Sequence, residues 1–174
     1  MENAQPKRKH PRRKNPRLSG YDYSAPGTYF ITICTQDRKP LLSRIVGGDV
    51  LIAPQVMLTK YGKTAEGQLC RMDVFYPHIT VERYVIMPNH IHLLLRVNGD
   101  GPTGTSAPTS PRQHQAVADF VSTFKRFCSK TYGQAIWQRS YHDHIIRDEA
   151  DYQRIARYIA ENPAKWPEDC FYQP

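Results

Sequence analysis

Residues 79–97 read ITVERYVIMPNHIHLLLRV, and this stretch decides the fold. Residues 79–87 and 90–97 are two β-branched or aliphatic runs separated by Pro88-Asn89, a tight-turn dipeptide, so they form a hairpin. Working backwards, residues 29–35 (YFITICT) are β-branched and aromatic, a strand by propensity. Between that strand and the hairpin, Tyr61, Ala65, Leu69 and Met72 fall at helical spacing, with Gly62 and Gly67 weakening the helix. Forwards, Ser110-Pro111-Arg112-Gln113 has the form of a helix start, Ser as N-cap, Pro at N1 and Gln at N3. The helix it predicts carries Val117, Phe120, Val121, Phe124 and Cys128 on one stripe. Residues 136–147 read as extended. Asp148 then caps a last helix that runs to about Asn162 and stops at Pro163. The order β-α-β-β-α-β-α predicts an α+β fold: a ferredoxin-like βαββαβ unit with an antiparallel sheet, plus one added C-terminal helix.

The same hairpin holds the first chemical motif. In His90-Ile91-His92 the period-two geometry of a strand puts both imidazoles on one face and Ile91 on the other. Two neutral imidazoles one strand repeat apart are well placed to share a divalent metal, whose third ligand must come from elsewhere in the chain. The alternative is one satisfied core histidine and one exposed one. An unpartnered pair inside so apolar a strand is costly, which favours the metal. Histidine-triad hydrolases are excluded because position 94 is Leu94. Two-histidine phosphodiesterases are excluded because His78-Ile79-Thr80 has no second H-x-Ser/Thr copy. His142-Asp143-His144 is a second His-x-His, ranked lower because its acidic middle residue suggests a less buried strand; His144 is also a candidate for a second-shell or DNA contact.

The last helix, EADYQRIARYIAEN over residues 149–162, carries Tyr152, Ile155, Ala156 and Ile159 on its apolar stripe. Tyr158 lies on the flank of that stripe, with Asn162 one turn further on the same side. A phenol and an amide thus project together, although a flanking Tyr is more often a plain boundary residue.

Composition bounds the rest. The chain has 174 residues and a formal net charge of +8. That length suits one domain with a substantial core. No apolar run approaches a membrane span, and the first 20 residues lack the apolar core of a secretory signal. Cys34, Cys70, Cys128 and Cys170 make no CxxC zinc knuckle, and a reducing cytoplasm is the default. Residues 1–17 carry seven Lys/Arg and one Glu, interrupted by three prolines, and read as a disordered basic tail. It is either a nonspecific arm for a phosphate backbone or a solvated tail. Residues 18–174 form the domain and carry 17 Lys/Arg against 15 Asp/Glu, so charge alone does not argue for nucleic acid. Within it, 11 of the 15 residues from 98 to 112 are Gly, Pro, Ser or Thr, a flexible loop. Lys125, Arg126 and Lys130 lie off the apolar stripe of their helix, as phosphate contacts or as an ordinary solvated face.

Four stretches together resemble a known family. Met87-Pro88-Asn89-His90-Ile91-His92-Leu93-Leu94 resembles the His-hydrophobic-His motif of the single-tyrosine (HUH) transposases. Trp137-Gln138, His144-Ile145-Ile146-Arg147-Asp148 and Tyr158-Ile159-Ala160-Glu161-Asn162-Pro163 resemble the C-terminal signature of their REP-associated branch. The likeness covers roughly residues 27–166; the basic tail and the loop at 98–112 fall outside it. The resemblance implies that His90 and His92 are metal ligands, that Asn162 takes the place of the third, amide-bearing ligand, and that Tyr158 is the nucleophile. His144 and Arg147 fall in the third of these stretches, as candidates for contacting DNA or for supporting the site from behind. It further implies Mg²⁺ or Mn²⁺, single-stranded or hairpin DNA as partner, and cleavage with strand transfer through a 5′-phosphotyrosine. Family members differ in whether the tyrosine meets the histidines within one chain or across a dimer; the short connection at Arg147-Asp148 favours one chain, hence a monomer.

A reading from another class is a ferredoxin-like module that binds nucleic acid without catalysis. Such modules stack bases on exposed aromatics of the central strands. His90 and His92 stand where that reading needs aromatics. A domesticated transposase serving its host genome has the same chemistry as the first reading, and sequence does not separate the two.

Overall fold

The computed structural model describes residues 22–23, 25–47, 53–99 and 115–172. The basic tail, most of the Gly/Pro/Thr stretch and the Ser110 to Gln113 helix start lie outside them. Four strands make the main antiparallel sheet: β1 (Gly27–Cys34), β4 (Ile79–Ile86), β5 (His90–Val97) and β6 (His142–Ile146), in the order β4-β5-β1-β6. With helices α1 (Lys60–Leu69) and α3 (Ala116–Tyr132) in the connections, this is the ferredoxin-like βαββαβ plan. Helix α4 (Glu149–Glu161) follows β6 and carries Tyr158, as expected.

The two faces of the sheet bury different things. Tyr29, Ile31 and Ile33 of β1, with Ile91, Leu93, Leu95 and Val97 of β5, point to one face. There they meet Ala65 and Leu69 of α1 and the predicted stripe of α3, Val117, Phe120, Val121, Phe124 and Cys128. The opposite face carries a smaller cluster of Leu94, Ile155 and Ile159, flanked by Phe30, Val85, Ile146 and Tyr152, which seats α4. A strand covered on both sides need not alternate, which is why Leu93, Leu94 and Leu95 of β5 follow one another without a polar residue between them.

Caps and turns set the boundaries. Asp148 accepts the Asp151 N–H at 2.8 Å and starts α4 as expected. Gly133, at φ +71°, closes α3 in the left-handed conformation that favours glycine. Thr59 caps α1 by accepting from the N–H groups of Tyr61 and Gly62, and its own hydroxyl reaches the Leu41 and Leu42 carbonyls.

Four details differ from the sequence expectation. The helix expected to reach Met72 ends at Leu69, and Met72–Phe75 forms a separate one-turn α2. The described α3 begins at Ala116, after a Gln115 that makes no capping bond through its side chain. The extended stretch 136–147 contributes only β6, plus a single bridge between Trp137 and Thr35, because its first half wraps the end of β1 without continuing the ladder. A small hairpin of β2 (Ser43–Val46) and β3 (Gln55–Leu58) stands apart from the main sheet. Its four-residue strands are half exposed, too short and too mixed to show a clear alternation. Among the described residues, no helix is long and apolar enough to cross a membrane.

Candidate active site

His90 and His92 project from β5 onto the face covered by α4, both fully buried. Their Nε2 atoms stand 3.0 Å apart. Each Nδ1 is held by a neighbour in the same layer. The Asn89 Oδ1 is 2.9 Å from His90 Nδ1, and the Thr32 Oγ1 is 2.8 Å from His92 Nδ1. Asn89 donates its own Nδ2 to the Phe171 carbonyl at 2.7 Å, which fixes its oxygen toward His90. His90 therefore carries its proton on Nδ1 and turns a lone pair toward His92. Thr32 can donate or accept, so His92 can hold its proton on Nε2, toward His90, or on Nδ1, toward Thr32. The second arrangement leaves two lone pairs converging on one point, a geometry that calls for a cation. Burial, and then the nearby Arg38 charge, pull His90 down to about 3; burial, and then His90, pull His92 well below its usual value. Both imidazoles are thus neutral near pH 7 and free to ligate.

α4 brings Tyr158 to the pair. Its hydroxyl lies 3.3 Å from His92 Nε2, and its ring stands 5.2 Å from the His92 ring and edge-on to Phe30. The residue as a whole stays 37% exposed. Burial, then the Asp169 charge, push the phenol up to about 12.

Asn162 follows one turn on and is buried. Its Nδ2 donates to Asp169 Oδ2 at 2.8 Å, and its Oδ1 is buried without a hydrogen-bond partner among the described residues. Asp169 was not foreseen from sequence. It arrives on the segment after Pro163, whose Trp166 and Phe171 rings pack against the His90 ring. Its Oδ1 accepts the Phe171 N–H at 2.7 Å, and its Oδ2 accepts from Tyr158 at 3.3 Å. One ligand atom each from His90, His92 and Asp169 lie within 4.8 Å of one another. The Phe171 ring packs 4.7 Å from the His90 ring, and the Arg38 guanidinium lies 4.9 Å from the Phe171 ring centroid. Arg38 and Asp37 both take φ +54°, a left-handed conformation that costs non-glycine residues energy and that clusters at functional sites.

The remaining candidates are placed away from the pair. His144 shares the α4 face of the sheet, but its Nε2 is engaged with Asp151 Oδ2 at 2.7 Å. Arg147 is exposed between β6 and α4. Lys125, Arg126 and Lys130 belong to α3, on the far side of the sheet from the histidines. Lys125 donates to the carbonyls of Gln138 and Ser140, both at 2.9 Å, and so holds the loop entering β6. Arg126 and Lys130 are exposed.

Thr32, Asn89 and Asp169 are the site residues that sequence reasoning missed. Asn89 carried a signal, as a polar residue in the turn that leads into the histidine strand. Thr32 carried none, because its role comes from strand register, and Asp169 follows no periodicity at all.

No protein-family model matches the chain. It is 32% identical over 175 residues to an uncharacterized protein of Haemophilus influenzae, covering 92% of this chain and 93% of that one. A second protein of that organism, a "Putative REP-associated tyrosine transposase", is 29% identical over 172 residues, covering 90% of this chain and 87% of its own length. Among solved structures, a REP-associated tyrosine transposase bound to a REP hairpin matches with a TM-score of 0.58 at 22% identity. That match covers 85% of this chain and 74% of the other and establishes a shared fold. The chain is thus similar along most of its length to a putative REP-associated tyrosine transposase, and it shares its fold with a solved one.

Proposed function

We propose that the chain cleaves single-stranded DNA at hairpin-bearing, REP-like sequences and transfers the cut strand, with Tyr158 as nucleophile. The observation that carries this reading is the 3.3 Å approach of the Tyr158 hydroxyl to a buried, neutral histidine pair. The hairpin substrate is taken over from the relative solved with a REP hairpin.

The donor set fits a divalent ion, with Mg²⁺ or Mn²⁺ taken from the family resemblance: two neutral imidazoles with converging nitrogens, and the amide oxygen of Asn162, without a hydrogen-bond partner among the described residues, one helical turn from the tyrosine. His90, His92 and Asn162 would hold it, and it would supply Lewis-acid polarisation of the phosphodiester. The chain's own part is to aim Tyr158. α4 is seated on Leu94 by Ile155 and Ile159, and the edge-on Phe30 ring limits the swing of the phenol. In the cleavage step the Tyr158 oxygen forms one bond to phosphorus and the bond to the 3′-oxygen breaks. The proton lost by the phenol is balanced by one gained at the 3′-oxygen. A 5′-phosphotyrosyl link and a 3′-hydroxyl result, and a second 3′-hydroxyl can reverse the step without ATP.

That α4 lies over the sheet speaks against a non-catalytic module, whose bases would stack on the surface that Ile155 and Ile159 cover. The test is an adduct assay on hairpin oligonucleotides with single-stranded flanks, in Mg²⁺ or Mn²⁺. A covalent protein–DNA species is expected with the native chain and not with Tyr158→Phe, which should still shift the hairpin in a gel. An adduct that persists in Tyr158→Phe overturns the assignment.

A further inference from the structure

The geometry points to Asp169 as an anionic ligand of the same ion, so that the chain holds a divalent cation through His90, His92, Asp169 and Asn162 before any DNA arrives. This rests on the metal-centre reading above and adds to it a residue outside the recognised motifs. Ligand atoms of His90, His92 and Asp169 already lie within 4.8 Å of one another. Donors about 2.1 Å from one ion stand up to about 4.2 Å apart, so a small rotation of a partly exposed carboxylate closes the set.

The carboxylate is aimed before any ion binds. Its Oδ1 is tied to the Phe171 N–H at 2.7 Å and its Oδ2 to the Asn162 amide at 2.8 Å, so its orientation is set from both sides. Charge argues the same way. Two neutral imidazoles and an amide leave both charges of the ion uncompensated among Phe30, Tyr158, Trp166 and Phe171, with Arg38 adding another positive group nearby. One carboxylate halves that excess. Two imidazoles and one carboxylate also occupy one side of an octahedral ion, leaving positions open for further oxygen ligands. Asn162 Oδ1, buried and without a hydrogen-bond partner among the described residues, is the oxygen in hand.

The test uses the full chain, freed of metal with EDTA and without DNA, titrated with Mn²⁺ while free ion is read by electron paramagnetic resonance. Asp169→Asn keeps the shape and loses the charge; it should bind Mn²⁺ about tenfold more weakly or worse. Asp169→Glu should stay within a few-fold of the native chain. His92→Ala should abolish binding. If Asp169→Asn binds like the native chain while His92→Ala does not bind, Asp169 is no ligand and the metal centre itself stands. If His92→Ala binds like the native chain, both readings fail. An Asp169→Glu chain as weak as Asp169→Asn would trace the loss to the fold of residues 166–172 and likewise overturn the assignment.

Discussion

Thr32 and His92 stand directly opposite each other on β1 and β5, with Thr32 Oγ1 2.8 Å from His92 Nδ1. Strand pairing therefore fixes the ring whose other nitrogen faces His90. Thr32→Val keeps the volume and removes the hydroxyl, leaving Nδ1 buried and unpaired at a cost of about 1–3 kcal/mol. We expect Mn²⁺ affinity to fall about tenfold, with Thr32→Ser restoring it. Paired urea unfolding and Mn²⁺ titrations measure both. Undiminished Mn²⁺ affinity in Thr32→Val would show that the hydroxyl does not orient the ligand.

The buried histidines also make stability depend on pH. Burial holds His90 down to about 3 and His92 well below its ordinary value, whereas in the unfolded chain both titrate near 6.5. The unfolded state thus binds more protons below 6.5. Stability is complete above that pH and is lost as pH falls from 6.5 toward 3, by up to about 1.4 kcal/mol per pH unit for each histidine. In EDTA, the urea midpoint should drop steadily between pH 7 and 5, and His90→Gln should flatten the slope. An unchanged native midpoint across that range would contradict the burial.

The sheet and the histidine motif were legible because each rests on a local pattern. The 79–97 hairpin shows its turn dipeptide, the β5 run shows burial on both faces, and Asp148 and Pro163 bracket α4. The supports of the site were not legible, since they depend on contacts between distant residues. Thr32 meets His92 across 60 residues of sequence. Asn89 reaches Phe171 across 82. Asp169 arrives on irregular backbone past the last helix, where neither period 2 nor period 3.6 applies. The basic residues of α3 read equally as phosphate contacts or as an ordinary solvated face; the topology places them on the far side of the sheet from the histidines, with Lys125 holding three loop carbonyls.

Two glycines of α1 should respond in opposite directions. A Cβ on Gly62 would sit 2.1 Å from the Leu42 carbonyl oxygen, whereas one on Gly67 meets nothing within 4 Å. Alanine is intrinsically the better helix former by about 1 kcal/mol. Gly67→Ala should therefore stabilise the protein by up to about that much. Gly62→Ala should destabilise it by more, since backbone at Leu42, bolted to the helix by Thr59, cannot give way cheaply. Urea midpoints decide, and a Gly62→Ala chain as stable as the native one would rule out the close approach.

The last prediction separates the two cores. Ile33 belongs to the large cluster under α1 and α3, whereas Ile159 belongs to the small one that seats α4. Truncating either to Ala removes a buried branched side chain and should cost about 2–4 kcal/mol. Their effects on chemistry should differ. α4 carries Tyr158 next to Ile159, and the 3.3 Å approach to His92 tolerates little displacement. A shift of about 1 Å in a reacting group can cost a hundredfold in rate. At a temperature where both variants are fully folded, Ile159→Ala should slow adduct formation at least tenfold while Ile33→Ala stays close to native. Equal rates in the two would mean that α4 holds its tyrosine through contacts other than the Leu94 cluster.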